Sequence, residues 1–456
     1  MIHAAVKLSK SVISLSRTSL VAATSSQPLR FLHDGTNGPS SNPVAVQMIN
    51  YALSHARSQK SDESYAQGML ILEQCLSTQS SESEIQFAQN CIGTVLLAMS
   101  TLLYERGNFE EAIEKLHRVQ GLTCSSLGVR GKILLFQFTS FVYFLFGIKG
   151  YSLYLVFGIV AATEALVGLY LQLGQDDTSS VLADKCLEFL HKDDLRSNGG
   201  SKESLIARAK AVKGLVELVT GNLESAESFF HGVQDIEARN GTAVLSYGEF
   251  LHATQQFSLA KELYQNIIEG VPKNEDFCDM NTLSICNMAS DEVLLAATTA
   301  LGQLESHMGN FGAAEEILTK ALTKTEEYFG SSHPKVGVVL TCIALMYRNK
   351  ARQERSSSLL IQEGLYRRAI EFLKAPPLES EGAETKLDRG DILALARGGY
   401  AEVLCVQQNR KTEGEKMKTW AEAVWSNRRM SLTDVLDISE PSSKVPVIDA
   451  RISRVL

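Results

Sequence analysis

Proline is scarce in this sequence, with 9 residues among 456, and aromatic residues make up only 7% of the chain. So few helix breakers over such a length favour a mostly helical protein. The eight cysteines form no CxxC pair and have no metal-ligand spacing, so we expect reduced, mostly buried thiols. A net charge of −8 argues against a nucleic-acid partner, which requires a basic surface.

Motifs of the common catalytic and cofactor sites are also missing. The sequence has no glycine-rich phosphate loop, no nucleophile turn, no zinc-protease helix motif and no dinucleotide fingerprint. The nine histidines are scattered, and His333 suits a turn before Pro334 better than it suits catalysis. We therefore predict that the protein is not an enzyme and that it holds no cofactor and no metal ion.

A spacing that recurs along the chain is the most informative feature present. A small residue is followed twelve positions later by alanine, and four positions after that by a bulky apolar residue. This period predicts a stack of helical hairpins, each of which buries its apolar face only against a neighbour. The residues that define the spacing are Gly214, Ala226 and Phe230; Gly248, Ala260 and Tyr264; Gly302, Ala314 and Leu318; and, in a further copy, Ser100, Ala112 and Leu116, with Gly107 in the turn of that copy.

The turn between the two helices of a hairpin is repeated as well. Gly-Asn-apolar occurs at residues 107–109, 221–223 and 309–311, in register with the longer spacing. Glycine can adopt the positive φ that ends the first helix. We expect the asparagine that follows to cap the second helix.

These repeats resemble tetratricopeptide repeats, which pair a glycine in the first helix with an alanine and an aromatic residue in the second. The resemblance covers most of residues 44–426 and implies an all-α fold, a right-handed α-solenoid. The chain looks like a plant-type organellar member, and its C-terminal repeats resemble those of kinesin light chains and nephrocystin-type proteins. The clearest repeats are 93–126, 207–240, 241–274, 295–328 and 337–374.

Residues 1–33 have the composition of an organelle presequence. They hold four basic residues and seven serines, and the first acidic residue is Asp34. A cationic amphipathic helix of this kind is drawn toward a negative-inside potential. We expect import into mitochondria, to the matrix or in association with the inner membrane, with a chloroplast as the alternative. Residues 34–43, rich in turn formers, are then a linker.

Residues 131–160 differ from their surroundings, with nine aromatic residues, two lysines and no acid. One interpretation is a translated intron or an isoform-specific insert, because joining Arg130 to Ala161 restores a continuous repeat junction. A second is a membrane span, although the sixteen-residue apolar run at 133–148 is shorter than the roughly 20 residues a span needs. A third is an additional buried hairpin. A transcript lacking the corresponding nucleotides would establish the first interpretation.

The C-terminal residues 427–456 lack helical periodicity, and we expect an exposed or loosely docked tail. The resemblance implies a partner-binding concave groove lined by the first helix of each hairpin. We expect neutral or apolar groove walls that suit a helix or an extended segment of a protein partner. Paired cations for a heat-shock-protein carboxylate clamp are missing. The candidate groove residues are Leu97, Thr101, Lys210, Lys213, Ser246 and Thr299.

The sequence as a whole predicts a non-enzymatic protein–protein interaction scaffold in mitochondria. By likeness to other organellar repeat proteins, we expect it to help assemble or maintain a membrane-protein complex. The alternative is a membrane-anchored import or translocation adaptor that uses residues 131–160 as its anchor. Extraction with carbonate separates the two, because a spanning anchor stays in the membrane and a scaffold without one is released.

Overall fold

The computed structural model describes residues 43–78, 85–125, 151–191, 199–233, 241–270, 284–356, 358–378, 387–436 and 445–456. These residues all belong to one compact unit, Ser40–Leu456. Helices dominate them and follow one another as packed pairs. This arrangement confirms the predicted all-α solenoid of tetratricopeptide-like hairpins.

Eight hairpins occur in the described residues, each formed by two helices that are consecutive in the chain. They are α1 (Pro43–Gln59) with α2 (Asp62–Thr78), α3 (Ile85–Glu105) with α4 (Phe109–Ser125), α5 (Tyr151–Gln172) with α6 (Asp176–His191), α7 (Gly199–Val219) with α8 (Leu223–Phe230), α9 (Gly241–Ala253) with α10 (Phe257–Gly270), α11 (Ser290–His307) with α12 (Phe311–Phe329), α13 (Pro334–Gln353) with α14 (Leu359–Phe372), and α15 (Gly390–Cys405) with α16 (Lys411–Val424). A 3-10 turn at Gln408–Arg410, helix α17 (Leu432–Leu436) and strands β1 (Ile448–Asp449) and β2 (Arg454–Val455) complete the described elements.

The first helices of the hairpins form a continuous row. Each contacts the first helix of the next hairpin, from α1 and α3 through to α13 and α15. Each second helix packs on its own first helix and on the first helix that follows. The hairpins therefore share one core, as expected for units that cannot bury their apolar faces alone.

The recurrent glycines lie where the two helices of a hairpin come closest. A Cβ atom built on Gly214 would lie 2.8 Å from the Phe230 ring. On Gly302 it would lie 2.6 Å from Leu318 Cγ. Gly248 stands in the same relation to the Tyr264 ring, at 2.8 Å. The companion residues Ala112, Leu116, Ala226, Ala260 and Ala314 are all fully buried.

The turn glycines have the expected backbone conformation. Gly107, Gly221 and Gly309 have φ angles of +78°, +87° and +81°. At these positions a residue with a Cβ atom would be strained, which explains why glycine recurs there.

The asparagines that follow these glycines do not act as predicted in two of the three turns. Asn222 and Asn310 precede α8 and α12, but their side chains form no capping hydrogen bond with those helices. Their amides donate instead to Glu217 Oε2 at 2.9 Å and to Glu305 Oε2 at 2.7 Å. A hydrogen bond to a carboxylate is stronger than the neutral bond that the asparagine oxygen would accept in a cap, so the side chain turns back toward the first helix.

Helix α5 includes part of the anomalous hydrophobic stretch. It is continuous from Tyr151 to Gln172, and both Val156 and Val160 are buried. The residues before Tyr151, back to 126, lie outside the described part of the chain, as do the presequence and nearly all of the linker. No helix among the described residues is both long enough and apolar enough to span a bilayer. Removing 131–160 would therefore also remove the first ten residues of α5.

The stack curves until hairpins that are distant in sequence touch. The Arg389 amide donates to the Gln172 carbonyl at 3.1 Å, and Gln172 Nε2 donates to Asp388 Oδ1 at 3.2 Å. His333 Nε2 lies 3.2 Å from the Glu105 carbonyl oxygen. The ends of α3 and α5 thus meet the starts of α13 and α15, and the first helices between them face a common interior.

Candidate functional site

The interior of the stack holds residues 445–456, which we call the groove segment. Strands β1 and β2 pair antiparallel within it, with Ile448 opposite Val455, and the Leu456 amide donates to the Val447 carbonyl at 2.7 Å. Most of its residues are fully buried, so the expectation of an exposed or loosely docked tail is wrong for these residues. Because an isolated two-stranded hairpin is marginal in water, the surrounding helices must hold it in place.

Helices α11 and α13 bind the backbone of the groove segment. The Gln303 amide group accepts a hydrogen bond from Ile448 N at 2.8 Å and donates one to Ile448 O at 2.9 Å. Lys335 Nζ donates to the carbonyl oxygens of Ala450 and Arg451. These contacts bind backbone atoms and so require an extended chain at this point, whatever side chains that chain carries.

The loop after α16 binds the two ends of the groove segment. Asn427 Nδ2 donates to the Val455 carbonyl at 2.5 Å. Arg429 donates to the carbonyl oxygens of Val445 and Leu456, which brings the beginning and the end of the segment together. Burial lowers the pKa of Arg429 to about 10.

Arg451 fills the first of two charged sites in the groove. Its Nη2 lies 2.6 Å from Glu249 Oε2, 2.8 Å from Asp449 Oδ2 and 3.0 Å from Ser246 Oγ, and Nη1 donates to the Thr242 carbonyl at 3.1 Å. Both ion pairs are completely shielded from solvent. Burial raises the pKa of Glu249 well above its ordinary value, against the effect of Arg451, and the nearby Asp449 carboxylate adds to the rise.

Arg454 fills the second site, three residues further along. Its Nε donates to Asp391 Oδ2 at 2.6 Å, and Nη1 donates to Asp176 Oδ1 at 2.8 Å and to the Leu171 carbonyl at 2.7 Å. Burial lowers the pKa of Arg454, but the two carboxylates more than offset this, so the guanidinium stays charged. The site therefore joins the α5–α6 hairpin to α15 through one side chain.

These two sites correct the expectation of neutral or apolar groove walls. Glu249, Glu292, Lys335 and Asp391 are all charged residues that are at least 94% buried, on four different first helices. Such residues are tolerated in an interior only when paired and hydrogen-bonded. The groove segment supplies the two guanidinium partners, which could not be anticipated while it was expected to be exposed.

A second stretch, residues 284–289, covers another part of the interior. The Met288 amide lies 3.5 Å from Thr101 Oγ1, and Cys286 Sγ lies 3.4 Å from the Arg451 carbonyl oxygen. A Cβ atom on Gly168 would stand 2.5 Å from the Ile285 carbonyl oxygen, so glycine is required there for the stretch to approach α5. Residues 284–289 thus contact α3, α5 and the groove segment.

The structure brings together some of the candidate groove residues and not others. Ser246 contacts the groove segment and Thr101 contacts residues 284–289, while Leu97 and Thr299 are buried in the same row of first helices. Lys213 lies elsewhere, since its Nζ is 2.8 Å from Asp184 Oδ1 on α6. Lys210 is half-buried on α7. The most closely engaged residues, which sequence reasoning missed, are Glu249, Gln303, Lys335, Asp391, Arg429, Arg451 and Arg454.

A pair of buried histidines lies beside the groove, on α9 and α11. His252 Nε2 and His307 Nδ1 are 2.8 Å apart, and the Tyr264 hydroxyl is 3.4 Å from His252 Nδ1. Burial lowers the pKa of His307 to about 4. It also lowers the pKa of His252 well below its ordinary value, with smaller contributions from His307 and Arg429.

We expect these two histidines to make the protein less stable in mild acid. Because their pKa values are lower in the folded state, the unfolded chain binds more protons between about pH 6.5 and 4, and stability falls as pH falls through that window. Each histidine contributes at most about 1.4 kcal/mol per pH unit. The free energy of unfolding in urea, measured at pH 7 and at pH 5, should fall less between the two pH values for His307→Asn than for the unmodified chain. His231→Asn, at an exposed position, should leave the difference between the two pH values unchanged; equal pH dependence in all three would contradict the prediction.

Comparison with known proteins identifies one part of the stack. Residues 294–335 match the sequence model of the tetratricopeptide repeat family. The match covers most of α11, all of α12 and the start of α13, which includes Gln303 and Lys335 of the groove. A search of curated proteins finds no match. Among the described residues, no group of three or more His, Cys, Asp or Glu side chains is placed to hold a metal ion.

Proposed function

Because the chain is a tetratricopeptide-repeat-like protein whose interior holds an extended segment, we propose that it is a non-enzymatic protein-interaction scaffold. Tetratricopeptide repeats generally bind protein partners, and the groove has the donors and acceptors needed for an extended chain. The observation that carries the proposal is the double hydrogen bond between the Gln303 amide and the Ile448 backbone. A contact of this kind recognises main chain, which every protein partner possesses.

We also propose that the protein resides in mitochondria, in the matrix or associated with the inner membrane. Support comes from the basic, serine-rich composition of residues 1–33. An import assay with isolated mitochondria tests it: the complete chain should become protease-protected and shortened, and a chain lacking 1–33 should do neither. Protection of both forms, or of neither, would contradict the mitochondrial address, and uptake by chloroplasts alone would favour the alternative.

Within mitochondria, the proposed task is the assembly or maintenance of a membrane-protein complex. Affinity purification of the tagged chain from solubilised mitochondria should recover subunits of one such complex in constant proportion. A tagged chain carrying Gln303→Leu, which removes both bonds to Ile448, serves as the groove control. Recovery of translocase components alone would replace the scaffold role with that of an import adaptor.

A further inference from the structure

The groove segment is bound in the manner of a peptide ligand. Its carbonyl and amide groups are met by side chains from α11, α13 and the loop after α16, and its two arginines enter separate acidic sites. The segment is covalently joined to the stack through residues 437–444. Its contacts reach helices from α3 to α15, where Tyr104 lies 3.2 Å from the Arg451 carbonyl oxygen and Asp391 binds Arg454.

The two acidic sites select side chains as well as backbone. Glu249 with Ser246 receives the first arginine, and Asp176 with Asp391 receives the second. In the second site Nε and Nη1 contact different carboxylates, a geometry that suits a planar guanidinium and not an ammonium group. The spacing between the sites corresponds to two arginines three residues apart.

An acidic residue within the segment completes the first site. Asp449, two residues before Arg451, accepts from the Arg451 amide at 2.7 Å and also contacts its guanidinium at 2.8 Å. This contact fixes the bend between the strands and turns the arginine toward Glu249. A chain that fits the groove therefore needs Asp-x-Arg-x-x-Arg with apolar residues on either side, because the residues that flank this pattern in the segment are apolar and buried.

We propose that the groove is a receptor for partner segments of this chemistry, and that residues 445–456 occupy it as a tethered competitor. The inference rests on the proposed scaffold function and specifies its partner. A partner that presents Asp-x-Arg-x-x-Arg in a tight hairpin binds only in place of the groove segment. The acidic residues left by the departing arginines then attract the incoming ones.

Tethering makes this competition strong. A covalently linked segment acts at an effective concentration on the order of 1 mM. If its own dissociation constant is about 1 μM, the tethered segment leaves the groove unoccupied in only about one molecule in a thousand. Release of the tethered segment would therefore raise the affinity for a partner by at least about 100-fold.

The test uses the complete chain with a protease site placed within residues 437–444. Cutting after folding leaves the segment held by its contacts alone, and the probe is a fluorescent peptide of residues 445–456. By fluorescence anisotropy, the peptide should bind the cut chain at least about 100-fold more tightly than the uncut chain. A peptide with Arg451→Ala and Arg454→Ala should not bind, and one with both arginines changed to lysine should bind at least about tenfold more weakly.

Two results would overturn the inference. If the labelled peptide fails to exchange into the cut chain over several days, the groove segment is a permanent part of the core. If the alanine peptide binds as well as the unmodified one, the acidic sites do not select the partner. The uncut chain with Arg454→Lys is a check that avoids cleavage: it should bind the unmodified peptide more tightly than the unmodified chain does, and equal or weaker binding would also count against the inference.

If the proposed scaffold function is wrong, the peptide-exchange and purification experiments give a different combination of results. If peptide exchange succeeds but purification from mitochondria recovers no protein partner, the scaffold role fails while the groove chemistry stands. If a partner is recovered, excess 445–456 peptide should displace it from the cut chain. A partner that stays bound in the presence of the peptide would leave the scaffold role intact and overturn the groove as its binding site.

Discussion

Replacing Arg451 with alanine should lower the free energy of unfolding by about 3–5 kcal/mol. The guanidinium is completely buried between Glu249 and Asp449, and both of these carboxyl groups are as deeply buried as Arg451 itself. Without Arg451, the two lose their common cation and keep the cost of being out of water. Urea denaturation followed by circular dichroism measures the loss.

Two variants establish the cause of this effect. Arg428→Ala removes an arginine that is 58% exposed, and it should change stability by no more than about 0.5 kcal/mol. Arg451→Met combined with Glu249→Gln should be more stable than the sum of the single changes by about 0.5–3 kcal/mol, because the double variant leaves fewer charges without a partner. A loss below about 1 kcal/mol for Arg451→Ala would show that water reaches the two carboxyl groups.

The same glycine-to-alanine change should have opposite effects on the stability of the protein at two helical positions. At Gly302 a Cβ atom would stand 2.6 Å from Cγ of Leu318, which is itself fully buried and has no room to move. We expect Gly302→Ala to destabilise the protein by about 1–3 kcal/mol through overpacking. At Gly364, in the middle of α14, no atom beyond the adjoining residues and backbone of its own helix lies within 4 Å of the added group, so Gly364→Ala should stabilise by about 0.5–1 kcal/mol.

Thermal unfolding monitored by circular dichroism distinguishes the two variants by the sign of the change in melting temperature. Since the chemistry is identical, helix propensity alone predicts a rise in both. A rise for Gly302→Ala would mean that α11 and α12 can move apart at this point. That outcome would contradict the close packing on which the repeat register depends.

The hairpins could be predicted from the sequence because their packing is local. Gly302 and Leu318 meet within one hairpin, and the spacing between them follows from two helices of fixed rise joined by a tight turn. Each copy therefore repeats the same small and large residues at the same positions. The direction of the Asn310 amide could not be predicted, because Glu305 competes for it only once the hairpin has formed.

The groove segment could not be placed from the sequence for the opposite reason. Arg451 binds Glu249, which lies more than two hundred positions away in the sequence, and Arg454 binds Leu171 and Asp176 at still larger separations. Pairings of this kind leave no period in the sequence. One feature did point to burial: residues 445–456 are rich in valine and isoleucine, which favour strands and are unusual in a solvated tail. The lack of helical periodicity suggested exposure instead, but it does not distinguish a solvated tail from a buried pair of strands.

Contacts between the groove segment and first helices from α3 to α15 have a consequence for how the protein unfolds. Most repeat arrays behave as a one-dimensional chain of units, so that their ends fray while the middle persists. Here Arg454 joins Asp176 and Leu171 to Asp391, and loss of any one of these hairpins removes a partner from the others. The described hairpins should therefore melt in a single sharp transition. During synthesis, the early hairpins remain without this reinforcement until residues 445–456 have emerged, which makes the partly made chain a natural client for chaperones.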